Sequence, residues 1–212
     1  MADNYLERRE EALRTAGHTV VRRNTPSLET LLMKNRSHRG FDKSYVVAMR
    51  QLETIVSVNN KIPSSKNGQF FRFKLLDAAS GGEDFCRKFL HFGAYLPELH
   101  LPVPGSEPQA FIIACATVPE SPSVDIDLGI ALQSMALKAV EIGLNALIVR
   151  AFNHQDVKDA LGLPLEPLAV LAIGKGTDKI ELVDVPAGSD LRYYRKDGVH
   201  YVPKISISDL II

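Results

Sequence analysis

Residues 128–143 read LGIALQSMALKAVEIG. Small and aliphatic side chains fall on nearly every side of a helix drawn through them, with Gly143 as the stop. A surface helix shows one apolar stripe, whereas a helix apolar nearly all round belongs in an interior. Asp125 or Asp127 offers a carboxylate to cap its start. On either side lie short apolar runs: Ala110 to Val118 (AFIIACATV) before it, Asn145–Val149 and Leu168–Ile173 after it. These runs are too short for helices and suit central strands. His154 to Leu161, ended by Gly162, reads as a helix between the last two. The chain therefore alternates helices and strands. Periodicity alone leaves α+β and α/β both open.

Working toward the N-terminus, residues 83–95 read as a helix and 96–109, with four prolines, as irregular chain. FFRFKLL at 70–76 alternates, with Phe71, Phe73 and Leu75 on one face and Arg72 and Lys74 on the other, which predicts a strand. The polar loop KIPSSKNGQ (61–69) precedes it. Asp42 is placed to cap a helix reaching Asn59-Asn60, with Tyr45, Met49, Leu52 and Val56 as its buried stripe. Thr25-Pro26 is placed to open a helix ending near Lys34. Residues 3–16 read as a charged helix and 18–24 as a linker, so 1–24 is set apart from a domain spanning 25–212. Toward the C-terminus, Asp197-Gly198 between residues 192–196 and 199–202 predicts a two-residue hairpin turn. The chain then ends ISISDLII, an apolar tail that calls for cover by its own core or a second subunit.

Of 212 residues, 45% are hydrophobic and 24% charged, with 25 basic against 25 acidic side chains. That balance argues against a nucleic-acid partner, which usually needs a basic excess. No run is long enough to span a bilayer. The first 17 residues lack the apolar segment of a signal peptide, which points to the cytoplasm. The two cysteines, Cys86 and Cys115, read as free buried thiols. The six histidines show no metal-ligand spacing, so no metal is expected. Phosphate-loop, dinucleotide-fold, serine-elbow and zinc-protease motifs are missing, and no residue is nominated as a nucleophile. A chain without these groups commonly leaves its chemistry to a cofactor.

Three polar segments could meet a phosphorylated ligand. Asn35-Arg36-Ser37-His38-Arg39 offers two guanidinium forks and a hydroxyl. Pro63-Ser64-Ser65-Lys66-Asn67 offers backbone N–H groups and small side chains. Pro203-Lys204 offers a point charge. Each taken alone reads as well, or better, as a solvated basic loop, an ordinary turn and an exposed lysine.

Taken in order, Asn35–Phe41, Ile62–Phe73, Asp127–Leu144, Ala151-Phe152 and Leu161-Gly162-Leu163-Pro164 resemble the FMN-dependent nitroreductase family, over roughly residues 28–204. Arg36-Ser37-x-Arg39-x-Phe41, Pro63-Ser64-Ser65-x-Asn67 and Gly129–Gly143 carry most of the resemblance, which points to a small bacterial branch. It implies an α+β fold, a mostly antiparallel central sheet flanked by helices, and an intertwined homodimer with FMN at the subunit interface. It further implies that Arg36, Ser37, Arg39 and Lys204 hold the phosphate and ribityl chain. Pro63, Ser64, Ser65 and Asn67 would line the ring from the partner subunit. Arg150 and Ala151 would approach flavin N5, and Gln133 would lie near the interface. The implied reaction is ping-pong, with NAD(P)H giving a hydride to the flavin and a nitro compound, quinone or similar acceptor taking the electrons. A flavin-storing dimer, a dehalogenase and a flavin-fragmenting enzyme are the alternatives. Asn35, Ile205, Arg150-Ala151 and Phe70-Phe71 depart from the common family pattern.

Overall fold

The structure is a computed structural model that describes residues 25–212 together with Glu11. The predicted helix over 3–16, Glu11 apart, and the linker over 18–24 lie outside the described residues. Two strands form the floor of the core: β2 (Ala110–Ala116), buried at every position, and β4 (Glu166–Gly174), buried at all but its first. They pair antiparallel, with β1 (Phe71–Leu76) outside β2 and β3 (Asn145–Val149) outside β4, also antiparallel. The register between β2 and β4 slips by one residue after Ala114, which lets Pro167 sit in a central strand. In β1 the expected alternation holds: Phe71, Phe73 and Leu75 pack on the core while Arg72 and Lys74 are exposed.

Helices cover both faces of this sheet, an α+β arrangement. One apolar cluster joins Ile112, Ala114 and Leu171 of the strands to helices α2 (Met49–Val56) and α4 (Pro122–Glu141). The other face packs Phe111, Ile113 and Val170 against Phe85 and Cys86 of α3 (Gly82–Phe89) and Val157 of α5 (His154–Ala160). Helix α1 (Leu28–Lys34) buries none of its residues. Both cysteines are free and buried, and burial pushes their thiols up to about 12 at Cys86 and about 11 at Cys115. Among the described residues no helix is long and apolar enough to cross a membrane.

Several boundaries differ from the sequence expectation. The cap of α1 is Ser27, whose Oγ accepts from Thr30 N, one residue beyond Thr25-Pro26. Helix α2 begins only after Ala48, because Asp42 spends its carboxylate on a local turn with Ser44 and Gln51 Oε1 instead accepts from Ala48 N. Tyr45 thus falls outside the helix, while Leu52 and Ile55 are its buried residues. Helix α3 stops at Phe89, where Leu90 turns extended and Phe92 bridges to Leu101. Helix α4 starts at Pro122 behind Ser121, not at Asp125 or Asp127: a hydroxyl at the cap and proline in the first turn outcompete the later carboxylates. It is also not covered all round, since Ile126, Gly129 and Gln133 are exposed.

A second, three-stranded sheet closes the chain. Strand β5 (Lys179–Val185), to which the sequence reading assigned no element, runs parallel to β7 (Val199–Ile205), and β6 (Tyr194–Lys196) pairs antiparallel with β7. Asp197 and Gly198 take φ of 51° and 76°, the two positive values that the tight hairpin turn requires. After α6 (Ile207–Leu210), Ile211 and Ile212 are exposed.

Candidate functional site

The segment that follows α1 leaves the helix at Asn35 and runs extended along two strand ends. Ser37 bridges to Ala146 on the free edge of β3, and Phe41 bridges to Gly176 just beyond β4. Asn145 Oδ1 accepts from Gly176 N at 2.9 Å and fixes that end of β4 against β3. Only glycine suits position 176, because an added Cβ would lie 2.2 Å from the His38 ring.

Asp178 holds the segment from the other side. Its Oδ2 accepts from the backbone N–H of Arg39 at 2.5 Å and of Gly40 at 3.1 Å, and its Oδ1 accepts from Arg195 Nη2 at 2.6 Å. One carboxylate therefore joins residues 39–40 to the C-terminal hairpin. The Arg39 guanidinium lies over the Tyr193 ring, 4.2 Å from its centroid, and its Nη1 reaches Ser37 O at 3.1 Å and His200 Nε2 at 3.2 Å. Tyr193 also touches the His200 ring and accepts a hydrogen bond from Tyr95 N. On the helix side, Asn35 Nδ2 donates to Gln133 Oε1 at 3.3 Å, and Arg36 Nη2 donates to Leu32 O at 2.6 Å.

These groups enclose a cavity of about 230 Å³. Arg36, Ser37, Arg39, Gln133 and Lys204, from three distant parts of the sequence, all line it. Tyr193 and His200 also line it, together with Asn35 and apolar side chains such as Ile148, Ile180 and Val202. Arg36 Nε, Arg39 Nε and His200 Nδ1 are buried and meet no hydrogen-bond partner among the described residues. Burial lowers the Arg36 and Arg39 pKa values, Arg39 being held up in part by Tyr193 and Asp178, but a guanidinium stays charged at neutral pH. Burial, and then the Arg39 charge, push His200 down to about 4, so its ring is neutral. Burial also lowers His38, against the pull of Asp178 at 3.9 Å. The cavity is thus a cationic pocket with no carboxylate in its lining, and the nearby Asp178 is already engaged by Arg195 and two backbone N–H groups.

The other predicted residues lie elsewhere. Pro63 and Ser64 line two further cavities, of about 320 and 260 Å³, and Ser65 lines the smaller; neither shares a lining residue with the first. Both oxygens of buried Asp127 accept from Ser65 N at 2.9 Å, so the carboxylate expected to cap α4 anchors this loop instead. Asn67 lines none of the three; its Oδ1 accepts from Gln69 Nε2. Arg150 points at carboxylates, 2.7 Å from Glu120 and 3.5 Å from Asp125, and Ala151 beside it is exposed. Neither lines any of these three cavities. The sequence reading missed Asp178, Tyr193 and His200. The local signal for Tyr193 and His200 was faint, a C-terminal hairpin region rich in aromatic and basic residues, and Asp178 lies outside it, just ahead of β5. Among the described residues no group of three His, Cys, Asp or Glu is placed to hold a metal ion.

Known proteins agree with this architecture. A nitroreductase family protein from Clostridium difficile superposes with a TM-score of 0.54 at 24% identity, over 69% of this chain and 83% of that one. One from Streptococcus pneumoniae gives 0.59 at 14%, over 73% and 93%. A variant of an FMN- and NADPH-dependent nitroreductase from Sphigopyxis sp. strain HMH gives 0.56 at 19%, over 71% and 88%. At such identities the likeness is one of fold. No curated protein matches the sequence. The sequence model of the nitroreductase family matches residues 32–175, which carry the first half of the cavity, the Pro63 loop, α4 and the whole central sheet. By that match, over more than half its length, the chain belongs to the nitroreductase family.

Proposed function

We propose that this chain is a flavin oxidoreductase that holds the phosphate of FMN in the cavity between residues 36–39 and β7, and passes electrons from NAD(P)H to a small organic acceptor, such as a nitro compound or quinone, in ping-pong order. The observation that carries this reading is the pair of buried guanidinium N–H groups, Arg36 Nε and Arg39 Nε, left without an acceptor beside Lys204 in one cavity. A buried donor without a partner costs about 1–3 kcal/mol, so two of them in one cationic pocket call for an anion. A phosphate monoester carries close to two negative charges near neutrality and offers terminal oxygens to both. The FMN dependence of a solved neighbour supports the choice of flavin.

When bound, FMN supplies the hydride and electron chemistry that no side chain here can provide. The residues of the chain bind and orient: Arg36, Arg39 and Lys204 neutralise the phosphate, Ser37 and Gln133 offer polar contacts beside it, and Asp178 keeps Arg39 in place. The Pro63–Asn67 loop is the second half of the reading, as the wall for the ring. Within one chain it does not share the phosphate cavity, so we assign it to the site of a second copy. The exposed Ile126 and Gly129 on α4 and the uncovered α1 support such a homodimer.

The purified protein is expected to be a yellow dimer. Its visible absorbance should bleach anaerobically with NADH or NADPH and return on adding a nitroaromatic or a quinone. A yellow protein that neither nucleotide bleaches would be a flavin carrier and not this enzyme. A colourless protein that takes up no added FMN overturns the whole reading.

A further inference from the structure

Arginine carries only donors, so the 3.2 Å contact between Arg39 Nη1 and His200 Nε2 decides the state of the histidine. Nε2 must present its lone pair, and the proton of the neutral ring then sits on Nδ1. His200 is only 3% exposed and lines the cationic cavity, yet Nδ1 meets no partner among the described residues. Three residues that line the cavity therefore each carry a buried N–H donor without an acceptor: Arg36 Nε, Arg39 Nε and His200 Nδ1. A terminal phosphate monoester has three unesterified oxygens, whereas an uncharged ribityl end has only a hydroxyl.

We propose that His200 is a specificity residue for the phosphate end of the ligand, accepting from Arg39 through Nε2 to fix the guanidinium and donating through Nδ1–H to the phosphate. The proposal rests on the flavin reading above. It lies in the C-terminal hairpin, beyond the residues that the family model matches. Tyr193, Arg195, Asp178 and His38 surround His200, and Asp178 is already held by Arg195 and two backbone N–H groups. The hydrogen bond to the His200 ring comes from Arg39.

The test compares FMN with riboflavin, which differ by the phosphate, in fluorescence titrations of the flavin-stripped full-length protein. His200→Phe keeps a ring against Tyr193 and removes both polar roles. It is expected to weaken FMN about tenfold, as loss of a buried charge-assisted contact would, and to change riboflavin by less than about twofold. His200→Gln, whose amide both accepts and donates, should recover most of the FMN affinity. Ring nitrogen NMR of the wild type should show a proton on Nδ1 and none on Nε2. Equal weakening of both flavins by His200→Phe would mean a structural role and overturn the proposal, as would unchanged FMN affinity or a proton on Nε2. If the wild type binds neither flavin, the flavin reading itself fails and takes the proposal with it.

Discussion

In the cavity beside β7, the contact between Arg39 and His200 joins residues 161 apart in the chain, and the two side chains are 9% and 3% exposed. In the loop from Pro63 to Gln69 every side-chain hydrogen-bond partner but one is local, most residues are exposed, and one buried carboxylate, Asp127, ties it down. Lys66, Asn67 and Gln69 there take φ of 51°, 53° and 47°, which non-glycine residues adopt at a cost. On the proposed function, the two regions present a polar surface to a ligand in two ways. A pocket for a charge gains from burial, since a low local dielectric strengthens each contact. On the same proposal, a loop that meets the ring in a second copy's site stays open, and its shape is kept by one anchor and tolerated strain.

Three changes would break or sharpen that contrast. The largest effect is expected at the anchor. Asp127→Ala leaves the Ser65 N–H unpaired and opens space beside α4, so stability should fall by about 2–3 kcal/mol and the melting temperature by roughly 4–10 °C, as read by thermal denaturation. Asp127→Asn, which keeps an acceptor, should recover most of this; if Ala and Asn lose equally, the hydrogen bond to Ser65 is not the anchor.

The second concerns the buried pocket. His200 titrates near 6.5 in the unfolded chain and at about 4 when folded. Between these values the unfolded chain binds more protons, so acid favours unfolding, and this contribution to stability is complete above 6.5 and lost as pH falls toward 4. The loss is on the order of 3 kcal/mol. Urea denaturation across that interval should show it in the wild type, and His200→Phe should flatten the curve relative to it. Parallel curves would place the acid sensitivity elsewhere.

The smallest effect is expected from Lys66→Gly. Relief of the left-handed backbone outweighs the added freedom of the unfolded chain, for a net gain of ~0.5 kcal/mol. A loss of stability would show that the loop carries no strain at this position.

What the sequence by itself determined is local. Alternation placed β1, unbroken apolar runs placed β2, β3 and most of β4, and Asp197-Gly198 placed the hairpin, because strand pleat and turn geometry act over a few residues. Arg36, Ser37, Arg39, Gln133 and Lys204 were named in advance by resemblance, and they share one cavity. The tertiary structure alone decided the rest. Asp127 competes with Ser121 for the start of α4 and loses, and only the folded chain shows the carboxylate turned to Ser65. Strand β5 gains its meaning from a parallel partner that follows it after a hairpin. Asp178, Tyr193 and His200 have no distinctive spacing. They matter because folding carries the C-terminal hairpin onto residues 39–40, where burial removes water and leaves each donor dependent on the partner that geometry provides.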